Sequence, residues 1–256
     1  MEDVTSGRRV MVVGHADGDG YLAAEQTRRN AMRAGAVSCK VFVHPRITSG
    51  YRFWERYLED FDVEDANTII FVDIMLNYKS PRESFDRIVD RAIRYPDHLF
   101  VVIDHHPVRD LPAPPSNVQI KFSDAVYDCC FGPPSDLMIM ASICDRDEQP
   151  VKERITDVHR RRALGVTRAA ADRGGLAGEL LIKLLEAGRW QILEALGQED
   201  KRLHRTVRGV RVAANGETAA LQAARAAAGC RLVHTKIDTR PTSQRELIDD
   251  GHLGDG

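Results

Sequence analysis

"VVGHADGDGY" occupies residues 12–21, and the rest of the chain is read outward from it. An apolar, β-branched run ends at Gly14, and His15, Asp17 and Asp19 follow at alternate positions. Alone, the stretch reads as a solvated Asp-Gly turn. It touches the calcium-loop pattern, but Tyr21 interrupts it and the spaced glutamate is missing. No Gly-Lys-Ser/Thr follows, so it is not a Walker phosphate loop. What lifts it above a turn is the pattern around it.

Residues 8–15, "RRVMVVGH", read as a buried strand. "GYLAAEQTRRNAMRAGA" reads as a helix that Gly35 ends. "VSCKVFVHP" is a second strand, stopped by Pro45. Residues 50–61 read as a short helix with aromatics, and "NTIIFVDI" reads as a third strand. "SPRESFDRIVDRAIRYP" predicts a helix with Ser80 as N-cap, Pro81 in its first position and Glu83 in its first turn. "HLFVVIDHH" is a fourth strand. This alternation predicts an α/β fold, a parallel sheet flanked by helices.

His15 closes the first strand, Asp73 the third, and Asp104, His105 and His106 the fourth. Open parallel sheets bind ligands outside the carboxyl ends of their strands, so these residues are expected on one edge. Carboxylates gathered there repel one another unless a cation sits among them. Mixed His and Asp donors suit Mn²⁺, Fe²⁺, Co²⁺ or Zn²⁺, and the absence of cysteine argues against structural zinc. Asp73, alone at its strand end between the two clusters, is the natural carboxylate to bridge two ions. Such a pair lowers the pKa of a shared water and neutralises phosphate oxygens. A further histidine or arginine can then steady the charge that builds on the phosphate.

The chain has 256 residues, room for one large or two modest domains. Apolar residues make up 43% and charged residues 29%, ordinary for a globular protein. A net charge of −2 excludes a global basic field for nucleic acid. The longest apolar runs, such as the one ending at Ile103, are far shorter than a membrane span. No signal-peptide core follows the N-terminus, so a cytoplasmic location without a membrane partner is expected. Cys39, Cys129, Cys130, Cys144 and Cys230 are odd in number and contain no CxxC, which reads as reduced thiols, mostly interior.

Residues 107–118 are proline-rich and read as a surface loop. A helix is expected over 134–145, and residues 151 to about 203 are helical and strongly charged. His44, His98 and His159 read as strand-end or surface histidines, and "HRRR" at 159–162 as a solvated helix face. Residues 206–237 suggest a small strand-helix-strand unit. It is too small to bury both faces, so the chain is expected to be a fragment or to form a homodimer there.

"GHADGDG", "FVDIM", "VVIDHHP" and "DLMIMASICD" resemble, in order, the four motifs of the DHH phosphoesterase superfamily. The H-x-D-x-D-G form is most similar to the RecJ-type single-strand exonuclease branch. The match covers roughly residues 8–150. The resemblance implies a catalytic DHH domain over 1–150, a helical connector over 151–205 and a partial C-terminal substrate domain over 206–256. It implies two divalent ions, Mn²⁺ first, with Mg²⁺ or Co²⁺ as substitutes. By analogy one ion takes His15, Asp17 and Asp73, and the other takes Asp19, Asp73, His105 and Asp145. His106 would contact the scissile phosphate, and Asp104 would orient a histidine. Asp147 is a rival to Asp145, and the preceding "ASIC" favours Asp145. The family's glycine-histidine substrate motif is not found in 206–256.

The activity implied is hydrolysis of phosphodiesters in single-stranded nucleic acid or nucleotides, by hydroxide activated between two metals. "YRFWERY" at 51–57, with Arg52 and Trp54, offers an aromatic and basic wall for a strand, or else a core cluster. Arg109 is a further candidate substrate contact. The alternatives are a phosphatase or phosphodiesterase of small nucleotides (short oligoribonucleotides, 3′-phosphoadenosine 5′-phosphate, cyclic dinucleotides) and a non-catalytic nucleotide-binding module.

Overall fold

The computed structural model describes residues 4–43, 65–74, 81–106, 111–172 and 176–198; the side chains of 81–84 lie outside the description. Arg52, Trp54, Arg109, the N-cap Ser80 and the small unit at 206–237 therefore fall outside the described residues.

The strands are β1 (Arg9–Gly14), β2 (Ser38–Val43), β3 (Thr68–Val72), β4 (Leu99–Asp104) and β5 (Val118–Phe122). They form one parallel sheet in the order β2-β1-β3-β4-β5. The helices are α1 (Gly18–Arg33), α2 (Pro81–Arg94), α3 (Asp136–Cys144), α4 (Asp157–Ala171), α5 (Glu179–Glu186) and α6 (Trp190–Gln198). The expected parallel α/β sheet flanked by helices is what the chain forms. None of the described helices is long and apolar enough to cross a membrane.

Strand alternation divides the core. Val10, Val12, Ile70, Val72, Val101 and Ile103 face a large cluster with residues of α1, α3, α4, α5 and α6. Met11, Val13, Ile69, Phe71, Phe100 and Val102 face the other side, against Ile88 and Ala92 of α2. Because both faces are covered, the central strands read as unbroken apolar runs rather than alternating ones. α3 is apolar almost throughout, and Leu137 to Ser142 are all buried.

β5 is a strand that the sequence pattern does not place: its residues follow the proline-rich stretch, and only four strands are expected in the sheet before it. It is an edge strand with Val118 in the second core, Ile120 packed against it, and Gln119 exposed. His159 is also not a surface residue. It is buried at the third position of α4, where its Nδ1 accepts from the Thr156 amide at 3.2 Å and its own amide donates to Thr156 Oγ1 at 3.3 Å. The pair forms a capping box with histidine in the place usually held by Glu or Gln.

α4 and α6 cross closely because each offers a glycine. A Cβ on Gly165 would lie 1.8 Å from the Leu193 carbonyl oxygen, and one on Gly197 would lie 2.3 Å from that of Arg161. These helices bury Ala163, Val166, Leu193 and Leu196 in the same cluster as α1 and α3.

Candidate metal centre

β1 pairs with both β2 and β3, so the chain reverses its winding direction at β1. The crevice at the carboxyl ends of β1 and β3 is the topological switch point, where open α/β sheets bind ligands. Register then aligns the site. Gly14 lies opposite Val72, and Val72 opposite Ile103. The next residue on each strand is His15, Asp73 or Asp104. Three polar residues therefore share one rung of the sheet edge, on strands about 4.8 Å apart.

Asp73 leaves β3 in the left-handed region, at φ 57. Aspartate tolerates this better than bulkier residues do, and the turn aims its carboxylate inward. Its amide donates to the Ile103 carbonyl at 2.9 Å, which ties the turn to β4.

α1 begins directly beneath this edge. Asp17 is its N-cap and accepts from the Gly20 amide at 3.1 Å, and Asp19 lies in its first turn. The glycines of "GHADGDG" let the helix start this close. A Cβ on Gly20 would lie 2.6 Å from the His15 carbonyl oxygen, and one on Gly18 would lie 2.9 Å from Cys144 Sγ. α3 runs in from the other side and ends at the site, with Asp145 as its C-cap.

The side chains converge into overlapping groups whose donor atoms lie within 4.8 Å of one another: His15, Asp17 and Asp73; Asp19, His105 and Asp145; and Asp73, Asp104, His105 and His106. Asp73 and His105 each belong to two groups. His105 Nε2 lies 3.0 Å from Asp73 Oδ1, yet neither atom has a partner in hydrogen-bond geometry. Two donors this close, buried and not aimed at each other, are placed as co-ligands of one cation would be. His15 Nδ1 lies 2.6 Å from Asp17 Oδ2.

Asp104 is fully buried and works differently. Its Oδ1 accepts from the amides of His105 and His106, at 2.8 and 3.2 Å. The same oxygen is 2.8 Å from His106 Nδ1. An ionised Asp104 at this contact would hold the proton on Nδ1 and leave Nε2 as the other ring nitrogen of His106. The rings of His105 and His106 lie 4.2 Å apart between centroids.

The electrostatics fit a cation. Burial, and then the charges of Asp73, Asp17 and Asp145, push the Asp19 carboxyl well above the usual carboxylate range. Burial, then Asp17 and Asp104, does the same to Asp73. Asp145 is raised by burial, against the opposing pull of His105 and His106. Asp17 also feels burial, but its hydrogen bond to His15, the His15 charge and the Gly20 amide carry it below the usual range. Without a cation, this set keeps protons it would lose in water. Oxygen and imidazole donors together suit a divalent first-row ion.

The sequence-selected His15, Asp17, Asp19, Asp73, Asp104, His105, His106 and Asp145 are thus brought together, while Arg52, Trp54 and Arg109 lie outside the described residues. Asp147 is occupied elsewhere, with Oδ2 accepting from the Val126 amide at 3.0 Å. The sequence pattern does not single out Cys129 or Cys144 as neighbours of the site. Burial and then the Asp73 and Asp104 charges push the Cys129 thiol well up. Burial holds Cys144 at about 12.

The chain thus sets His and Asp donors at the switch point of a parallel α/β sheet. No protein-family model matches the chain, and no curated protein matches it. Among solved structures it is similar to exonuclease RecJ bound to manganese, at 19% identity and a TM-score of 0.46, over 81% of this chain and 64% of that one. It is also similar to RecJ from Thermus thermophilus in complex with Mn²⁺, at 16% identity and a TM-score of 0.40, over 87% of this chain and 35% of that one. A DHH domain from a member of a family of ribosomal proteins matches at 16% identity and a TM-score of 0.31, over 87% of this chain and 56% of that one. The chain thus spans 64% and 35% of the two RecJ chains. These likenesses are distant, and the site stands on the chain's own residues.

Proposed function

We propose that the chain is a metal-dependent phosphoesterase that hydrolyses phosphodiester bonds of single-stranded nucleic acid or nucleotides. The observation that carries this is the sharing of the buried Asp73 between two His/Asp groups at the switch point. His15, Asp17 and Asp73 would hold one ion, and Asp19, His105 and Asp145, with Asp73 between, a second; Mn²⁺ is the first candidate. Divalent ions so placed supply Lewis acidity, lowering the pKa of water and neutralising phosphate oxygens.

The chain's own residues do the rest. Asp104, 2.8 Å from His106 Nδ1, would orient that ring and favour the proton on Nδ1. Nε2 is then available to hydrogen-bond a phosphate oxygen or pass a proton. Asp73 and Asp104 keep the floor of the site buried, while Asp145 is exposed and marks the open side. Substrate enters from that side in this reading. Residues 1–150 form the catalytic unit, 151–205 connect it, and 206–256 contribute to a substrate domain. Arg52, Trp54 and Arg109 contact substrate, with a long strand engaging the first two.

The test incubates the protein with Mn²⁺ and either a 5′-phosphorylated single-stranded oligonucleotide or a dinucleotide, with Asp73→Asn alongside. Stepwise mononucleotide release supports the nucleic-acid form of the proposal. Cleavage of the dinucleotide alone assigns small nucleotides. Neither activity, together with no metal in the purified protein, overturns it.

A further inference from the structure

One cation stands next to a site residue in the chain and has no side-chain partner among the described residues. Arg146 directly follows Asp145, and among the residues joined in the chain to His15, Asp17, Asp19, Asp73, Asp104, His105, His106 or Asp145 it is the only Lys or Arg. It is exposed, and among the described residues its guanidinium makes no hydrogen bond or ion pair. Arg160 is paired with Glu148, and Arg162 with Glu194.

The backbone of Arg146 is unusual. It has φ 64, in the left-handed region, at the first position beyond the C-cap of α3. Glycine is the residue that ordinarily ends a helix this way, because a side chain there crowds its own backbone. The turn is nonetheless held on three sides. The Asp145 amide donates to the Ala141 carbonyl at 3.0 Å, and the Arg146 amide to the Ile143 carbonyl at 3.3 Å. Asp147 Oδ2 accepts from the Val126 amide at 3.0 Å, pinning the far end. A strained residue in an over-determined turn is preorganised, and such strain gathers at ligand sites.

We infer that Arg146 is a substrate-binding residue that anchors a phosphate on the open side of the metal centre. This rests on the phosphoesterase reading for the place of the phosphate. The acidic cluster attracts cations and repels a phosphate chain, and an exposed guanidinium next to Asp145 offsets that repulsion with a bidentate fit to phosphate oxygens. A purely structural role is the competing account, since a cation near the C-terminus of α3 also favours the helix dipole. The two accounts predict different readouts.

The test uses the full chain, loaded with Mn²⁺, and Arg146→Gly, Arg146→Ala and Arg146→Lys. Binding is read by fluorescence anisotropy of a labelled single-stranded phosphorothioate oligonucleotide, and hydrolysis on the unmodified strand. Arg146→Gly is expected to bind about tenfold or more weakly, and KM to rise in step while kcat and metal content hold. Its Tm is expected at or above wild type, because glycine relieves the left-handed turn. Arg146→Lys should recover part of the binding. Unchanged affinity in Arg146→Gly and Arg146→Ala overturns the inference, as does a fall in Tm and metal content that accounts for the loss. Wild-type protein that binds the strand through Arg146 without hydrolysing it sinks the phosphoesterase reading and leaves this inference standing.

Discussion

Asp73→Asn separates a metal-binding carboxylate from a structural one. Asp73 is buried, and its donor oxygen lies within 4.8 Å of those of Asp17 in one group and Asp104 in another. At an effective dielectric of ~20, each fully ionised pair at that separation costs about 3.5 kcal/mol, roughly 7 kcal/mol for both. The metal-free protein avoids this by keeping Asp73 protonated, which is why burial and the neighbouring charges raise it. Asparagine has the same shape, carries no charge and also tolerates the left-handed turn, so the variant loses the repulsion without adding strain. Stripped of metal at pH 8, Asp73→Asn should melt at or above wild type, by about 2–4 °C for each kcal/mol recovered. Added Mn²⁺ at about 100 times Kd stabilises wild type by roughly 2.7 kcal/mol per site, or about 5–10 °C. The variant should gain less than about 2 °C. Scanning calorimetry on chelator-treated protein, with and without Mn²⁺, reads all of these melts. A metal-free variant that melts well below wild type while keeping the full Mn²⁺ shift would refute the reasoning and make Asp73 a structural residue.

The acidity of the site sets a pH dependence. Asp19 and Asp73 are both raised when folded, so the stability their protonated forms contribute is present at low pH and lost as pH rises through those values. Metal-free protein should therefore lose Tm as pH rises above the ordinary carboxylate range, while the Mn²⁺-induced gain grows over the same rise; melts with chelator and with Mn²⁺ at each pH check it. Gly20→Ala places a Cβ 2.6 Å from the His15 carbonyl oxygen, so the turn must open. A loss of about 2 kcal/mol or more is expected, together with metal content, read by denaturant titration and elemental analysis. Gly165→Ala meets the Leu193 carbonyl oxygen at 1.8 Å and should cost about 3 kcal/mol or more, but the fraction that folds should keep its metal. Asp104→Asn unseats His106 Nδ1 and should lower turnover about 10–100-fold with metal content largely retained. Equal turnover would show that Asp104 serves only the two backbone amides.

His15, Asp73 and Asp104 are legible in the sequence because topology does most of the work. A residue just past the end of a parallel strand has one edge to occupy, and the register of β1, β3 and β4 leaves it no other rung. The grouping of Asp17 and Asp19 with them follows from local chemistry, since an N-cap and a first turn must sit where the strand ends. Asp145 is different. It reaches the site through α3, whose place depends on packing against α1 and on the small space at Gly18, and no short-range pattern encodes that. For β5 the signal is the alternation of Val118, Ile120 and Phe122 with Gln119 and Lys121, masked by the prolines before it. His159 is easily misplaced because its capping partner is Thr156, three residues back, a pattern usually read only when Glu or Gln fills the third position. The left-handed turns at Asp73 and Arg146 carry no signal at all, since neither is glycine.

Those two turns bear on how the site is built. Each puts a charged residue where glycine would fold more easily, and each is held by hydrogen bonds from a neighbouring element: Asp73 from β4, and Arg146 through Asp147 to the turn at Val126. Asp73 directs its charge into the buried floor, and Arg146 stands on the exposed rim. An acidic floor that gathers cations and a basic rim that meets phosphate are complementary, and the double variant Asp73→Asn/Arg146→Gly shows whether they act as one device. If phosphate binding at the rim requires metal on the floor, Arg146→Gly should lose little further affinity for the phosphorothioate strand once Asp73 is gone. Equal losses with and without Asp73 would mean that the two residues bind independently.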